Sequence, residues 1–517
     1  MKKTLLLLAL FAASALQAQN PAMLSPSDFG YDTCSDGLSR YWALYHTHVA
    51  AKQCGAQVDY SALESSVVEL TQPRETDFIP LGRHTDFKNI TFVVLDTVGQ
   101  RFLFRLGDDC YQRIDLDPAL TDGVDFGSVP ELRQGSHLLI LEDKNPWVAE
   151  RIGYGNPAMR CDILFVRNGL SLNRPVASYN TPATQLAAWV CPVNPEPAVV
   201  ENLHFRRHPL STHQERLLSV YFENDVTIRN ISVFTPQYKP FKHVNAAAEL
   251  VKAVQQPVDL SSRTKIKHTG DAVIYLHSST NVTVEDFYVD GTYSVPGTYG
   301  YAVGGDNLWN TEFHHVVADG NWGIFGTNNM SMTLVDSCDI NRFDIHCYGR
   351  DVVCRNCTFR GKQTQFSSLY GTLTFVGCHF VDCIPVRIRS SYNAYTPFDI
   401  VMKDCSFDAT RTHHSLVNVM LLDTAHNSRP ELYDRNLPNL RVEGLTVTMP
   451  RSVRALNLYH PTGTMKLCKQ PFGYMSSVKV DGVRMLTNKG KSLPVKLNLW
   501  SKEMTTANEV VYQRQMP

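Results

Sequence analysis

Apolar and polar residues alternate with a period of two through much of the chain, as in Asn281-Val-Thr-Val-Glu-Asp-Phe-Tyr-Val289, Phe343-Asp-Ile-His-Cys347 and Val386-Arg-Ile-Arg389. That period places successive side chains on opposite faces of a strand, whereas a helix would need an apolar residue every three to four positions. The alternating segments also recur: Cys338-Asp-Ile340, Cys357-Thr-Phe359, Cys378-His-Phe380 and Cys405-Ser-Phe407 share one frame. With the cysteine replaced, the frame reads back through Thr311-Glu-Phe313, Glu285-Asp-Phe287 and Arg229-Asn-Ile231, and forward through Glu443-Gly-Leu445 and Asp481-Gly-Val483. From Phe287 to Phe407 the steps are 26, 27, 19, 21 and 27 residues. Such a period marks a solenoid, each coil burying its apolar face against the coils above and below.

Strand-rich coils of this length, with Asn and Gly at the bends, predict an all-β parallel β-helix. Propeller blades need roughly 40 residues, and no Leu-x-x-Leu-x-Leu frame of a leucine-rich repeat is present. The Cys and Phe columns read as internal ladders, with equivalent positions stacked at about 4.8 Å. The spacing Cys354-Arg-Asn-Cys357 reads the same way, because a zinc site wants four ligands and no second pair stands near it. Thirteen cysteines in 517 residues leave disulfides open among Cys34, Cys54, Cys110, Cys161 and Cys191.

A net charge of −1 gives no global field for nucleic acid or a membrane surface. The start, Met1-Lys-Lys, then the apolar run Leu5 to Leu16 and Gln17-Ala18-Gln19, reads as a signal peptide over 1–18, with no lipid-anchor cysteine at the cut. The expectation is an exported protein, periplasmic or extracellular, with no membrane span, acting as a monomer.

Residues 19–517 read as one β-helix domain, with an N-terminal cap at about 30–60 and elaborated C-terminal coils at about 410–517. Asp36 to Gly55 predicts a helix started by Asp36 and ended by Gly55, with Leu38, Trp42, Tyr45 and Val49 on one face. This helix would close the exposed end of the first coil. Asp36-Gly37, the helix and then Gly55-Ala-Gln-Val-Asp-Tyr60, followed by the repeated coils, resemble the pectin-lyase-like right-handed parallel β-helix superfamily. That resemblance implies polysaccharide lyases, glycoside hydrolases, tailspikes and adhesins as the field of functions.

Ile231 to Phe287 is a step of 56, and the interval carries an insertion at about 235–268 with Lys239, Lys242, Lys265, Lys267 and His268. We read it as a basic wall over a groove, with Lys265 and Lys267 as substrate contacts. Strand parity nominates the floor. With Phe343, Ile345 and Cys347 inward, Asp344, His346 and Tyr348 face out; the next coils add Gln365, then Arg387 and Arg389; earlier coils add Trp322, Tyr275 and His277; Arg350 follows at a turn.

The resemblance implies two chemistries on such a groove. A uronate lyase needs a base, an acid and positive charge on the developing aci-carboxylate, which fits His346, Tyr348 and Asp344 with Arg387 and Arg389. A hydrolase needs two carboxylic groups, and the paired Asp and Gly-His-Gly of polygalacturonases are missing, Ala272 standing where the second Asp would be. The Asp cluster of calcium-dependent pectate lyases is likewise not found, so no cofactor is expected. The leading expectation is a metal-free lyase of an acidic polysaccharide such as chondroitin, hyaluronan, pectate or alginate. The alternatives are a β-helix hydrolase and a glycan-binding β-helix without chemistry.

Overall fold

The computed structural model describes residues 23–73, 78–95, 102–144, 160–182, 184–207, 216–234, 272–289, 301–318, 323–360, 365–366, 369–389, 398–409, 414–420, 438–453, 455–462, 477–499 and 512–514. The expected signal peptide and the basic insertion at 235–268 lie outside them. Parallel strands pair coil to coil in a closed ring, the right-handed parallel β-helix that the alternation and the superfamily resemblance implied. One ladder runs through Phe102–Leu106, Arg216–Tyr221, the first halves of Ala272–Val289, Tyr301–His314 and Gly323–Asp336, then Phe343–Cys347, Gln365–Phe366, Val386–Arg389 and Ser415–Met420. The second halves of the long strands continue into Gly349–Arg355, Leu369–Val376 and Asp399–Asp408 as a second ladder. Short strands such as Asp339–Ile340, Thr358–Arg360 and His379–Val381 make a third.

Cys338, Cys357, Cys378 and Cys405 stack inside as expected, none more than 3% exposed. The frame around them needs correction, by two residues at Ile231, Phe287, Leu445 and Val483 and by five at Phe313, since Ala318 is the partner of Ile340. Phe287 pairs beside the Val316 position that leads into the cysteine column, Phe313 pairs with Val335 of the neighbouring ladder, and Leu445 pairs with Cys405, while Val447 is the partner of Phe407. A slip of two keeps every inward residue inward, so alternation alone is blind to it. The marker that does fix the register is the residue before the column. Asn202, Asn230, Asp286, His315, Ser337, Asn356, Gly377, Asp404, Gly444 and Gly482 all have positive φ, between 51° and 71°. Asn, Asp and Gly tolerate this left-handed bend, so one corner of each coil is written in those residues.

The N-terminal helix spans Gly37–Cys54, with Asp36 accepting from the Ser39 backbone N–H and Gly55 closing it at φ 70°. Its packed stripe is Tyr41, Leu44, His48 and Ala51, rather than the expected Leu38, Trp42, Tyr45 and Val49; Leu38 is exposed. Trp42 and Tyr45 pack only partly buried at the margin of the same core.

One element had no signature in the repeat. Between two coils, Gln112–Ile114, Ser136–Asp143, Cys161–Arg167, Leu170–Ser171 and Leu186–Pro192 form an antiparallel sheet with its own core of Phe126, Leu139, Leu141, Leu164, Val166 and Tyr179. Its other face packs Leu138, Ile163, Phe165 and Cys191 toward Phe222 and Trp309 of the solenoid. The Cys110–Cys191 disulfide ties its last strand to the coil that precedes it.

Two histidines are folded into apolar surroundings. His48 Nε2 lies 2.6 Å from the Tyr60 hydroxyl, and His204 lies between Ser232 Oγ at 2.7 Å and Asn89 Oδ1 at 3.1 Å. Burial pulls His48 down to about 3 and His204 to about 4, from 6.5. The unfolded chain, titrating near 6.5, binds more protons than the fold between those values, so this stability is whole above about pH 6.5 and is lost as pH falls toward 4 and then 3. The expected cost is on the order of a few kcal/mol in total. Thermal melts from pH 7 to pH 4 should show the midpoint falling, and His204→Asn should flatten the fall; a midpoint constant over that range would contradict the assignment.

Candidate functional site

One register column of the first ladder runs through Arg105, Ser219, Tyr275, Gly304, Gly326, Asp344, Gln365, Arg387, Asn418 and His460. Two residues further along each strand runs a second: Tyr221, His277, Asp306 and Asn328. Opposite Thr327 and Asn328 the register shifts, and His346 is the extra residue of that bulge. Bulges re-aim a side chain locally, which brings His346 toward the groove rather than into line with Asn328.

The glycines decide what lies over this floor. At Gly326 any Cβ would collide with the Tyr301 ring, so only glycine there lets the ring lie across the coil. The Tyr301 hydroxyl thereby donates to Asp344 Oδ2 at 3.0 Å and lies 3.2 Å from His346 Nε2. His346 Nε2 is itself 3.2 Å from Asp344 Oδ2, and Arg342 makes an ion pair with the same oxygen. Asp344 is fully buried and the Arg342 side chain only 3% exposed, while the His346 side chain keeps 17% of its surface. Asp344 does occupy an outward position, but it is a buried anchor beneath Tyr301 and not an open groove residue. Of these groups His346 keeps the most side-chain surface, and Tyr301, 9% exposed, roofs the carboxylate.

One to three coils earlier lies a cavity of about 360 Å³ between solenoid and inserted sheet. Its floor is His277, Asp306 and Asn328; its far wall is Glu142, Trp189 and Tyr111. Asp306 accepts from the Tyr275 hydroxyl on Oδ2 and from Asn328 Nδ2 on Oδ1 at 2.7 Å. His277 sits against Tyr221 and Phe222, ring centroids 4.9 and 5.2 Å away, and burial pulls its pKa down despite the opposing Asp306 charge.

The structure thus brings together Asp344 and His346, and separately Tyr275 and His277. Gln365 holds the register place between Asp344 and Arg387, and Arg387 is half-buried on the same column; Arg389 pairs with Met420 two residues on. Tyr348 is displaced from the expected groove: it sits at a bend with φ 56° and is 1% exposed. Arg350 reaches Asp351 at 3.2 Å and the Pro175 carbonyl at 3.3 Å, so it docks the inserted segment onto the solenoid. Trp322, Lys265 and Lys267 lie outside the described residues. Tyr301, Arg342, Glu142, Trp189 and Tyr111 were missed in the sequence. Gly326 was the available signal for Tyr301, since a bare position in a strand marks a close approach. Among the described residues, no group of three or more His, Cys, Asp or Glu side chains is placed to hold a metal ion, and no helix is long and apolar enough to cross a membrane.

By architecture the chain is a right-handed parallel β-helix with an inserted antiparallel sheet packed on it and a cavity between the two. No family model and no curated protein sequence matches it. Among solved structures it is similar to the tailspike protein gp49 from Pseudomonas phage LKA1, at 12% identity and TM-score 0.50, over 92% of this chain and 79% of that one. Gp54 tailspike of Acinetobacter baumannii bacteriophage AP22, in complex with capsular saccharide, matches at 10% identity and TM-score 0.44 over 95% and 79%. The Yersinia enterocolitica family 28 exopolygalacturonase matches at 10% and 0.28 over 94% and 79%. The first of these likenesses supports the fold.

Proposed function

We propose that the protein is an exported, carbohydrate-active enzyme that cleaves a uronate-containing polysaccharide by β-elimination. The observation that carries the reading is the Tyr301–His346 pair, held at 3.2 Å over a buried Asp344–Arg342 ion pair on the first ladder. His346 takes the proton α to the sugar carboxylate, and the electron pair is delocalised into that carboxylate. The C4–O4 bond then breaks, Tyr301 protonates the departing oxygen, and a C4–C5 double bond remains. The proton passes back from His346 to Tyr301 along their contact, which restores both groups. Asp344 orients both and Arg387, further along the same column, supplies positive charge toward the substrate carboxylate. A second reading, hydrolysis, is favoured by Glu142 and Asp306 lining one cavity from opposite sides.

A polymer panel of chondroitin, hyaluronan, polygalacturonate and alginate tests the choice. Elimination gives an ultraviolet-absorbing unsaturated product from at least one of them. New reducing ends without that absorbance would move the activity to hydrolysis at Glu142 and Asp306, and binding without any product would leave a glycan-binding protein.

A further inference from the structure

The cavity beside Tyr301 and His346 has a chemistry opposite to the one a uronate wants. Two carboxylates enter it, Glu142 from the inserted sheet and Asp306 from the solenoid. His277 offers no counter-charge, because burial favours its neutral form. The nearby cations are engaged: Lys144 pairs with Glu142 and lies 5.0 Å over the Trp189 ring, and Arg105 pairs with Asp109 at 2.7 Å while stacking on Tyr221. With Glu142 matched by Lys144 and Arg105 by Asp109, a sugar carboxylate placed here meets the Asp306 charge in a partly desolvated cleft, where that repulsion costs several times what it would in water. Uncharged sugar hydroxyls, in contrast, find carboxylate acceptors on Glu142 and Asp306, the amide of Asn328, and apolar ring faces on Trp189 and on Tyr111, which is 54% exposed.

We infer that this cavity is a subsite for a non-acidic sugar residue, an N-acetylhexosamine or neutral hexose, on the same glycan chain as the uronate at the Tyr301–His346 centre. Asp306 and Asp344 lie on coils separated by one intervening coil, so the two positions are roughly 10 Å apart at the parallel-strand spacing. That is about the length of a disaccharide, so one glycan chain can span both positions. The substrate is therefore a polymer that carries both uronate and non-acidic sugar, and polyuronates are rejected by the cavity. The position of the uronate rests on the lyase reading above; the binding preference of the cavity does not.

Calorimetric titration of the full chain with size-matched oligosaccharides of hyaluronan, chondroitin and polygalacturonate tests the inference. At least one alternating oligosaccharide should bind about tenfold or more tighter than polygalacturonate. Trp189→Ala should remove about tenfold of that affinity, and Tyr111→Ala, at an exposed position, should weaken it without disturbing the melt. The double variant Glu142→Gln, Asp306→Asn should narrow the gap by letting polygalacturonate in. Equal or tighter binding of polygalacturonate, or a preference unchanged in both aromatic variants, overturns it. If an alternating oligosaccharide binds as described yet gives no unsaturated product, the lyase reading fails and the subsite stands. If polygalacturonate is eliminated as fast as hyaluronan and chondroitin, the lyase reading stands and the subsite fails.

Discussion

Asp344→Ala is expected to destabilise the coils around residues 323–347 by about 3–5 kcal/mol, the range for removing one partner of a buried ion pair. The Arg342 guanidinium, 3% exposed, would lose the carboxylate that balances its charge, and Tyr301 and His346 would lose the acceptor that holds them. Asp344→Asn should cost less, since the amide oxygen keeps the shape and can still accept from Tyr301. Replacing both charges, with Arg342→Met and Asp344→Leu, should recover much of the single-variant loss, because the uncompensated charge and not the missing attraction dominates. A solenoid can lose coils locally, so the sharpest readout is hydrogen exchange over residues 323–347 set beside the urea transition. A loss for Asp344→Ala below about 1 kcal/mol would mean that the Arg342 charge finds water, and that the hub is an open surface pair.

The same hub shows where sequence reasoning reached and where it stopped. Alternation correctly put Phe343 and Ile345 into the core, and it set Asp344, Gln365 and Arg387 on one column, which the strand pairing bears out. Parity states only which face a side chain leaves from. It could not tell that Asp344 would be roofed by Tyr301, because the roof comes from a residue two coils earlier crossing a glycine. Tyr348 failed for a related reason: a left-handed bend breaks the alternation, so counting by two past Cys347 no longer predicts direction. The two-residue slip of the repeat frame has the same root, since a period-two signal is satisfied by any even shift, and the left-handed Asn, Asp and Gly positions were the independent marker. The inserted sheet was invisible because its strands pair antiparallel with one another and share no period with the coils. With it went Glu142, Trp189 and Tyr111, half of the cavity wall.

Tyr301→Phe and His346→Ala are expected to lower kcat by about 10²–10⁴ on whichever polymer is eliminated, the usual worth of a positioned acid or base. The phenylalanine keeps the ring that lies over Gly326, so the groove floor should stay in place and only the hydroxyl is lost. The change should therefore fall on kcat with KM near wild type, whereas Trp189→Ala in the cavity should move KM. Because the two groups touch, their effects should not add: once one is gone, the proton can no longer pass between them, and the double variant should be little worse than the poorer single one. Additive losses would mean that each acts on the sugar independently and that the 3.2 Å contact is not the return path for the proton. Full activity in Tyr301→Phe would move the chemistry away from this coil altogether, and the carboxylates Glu142 and Asp306 would then be the pair to replace.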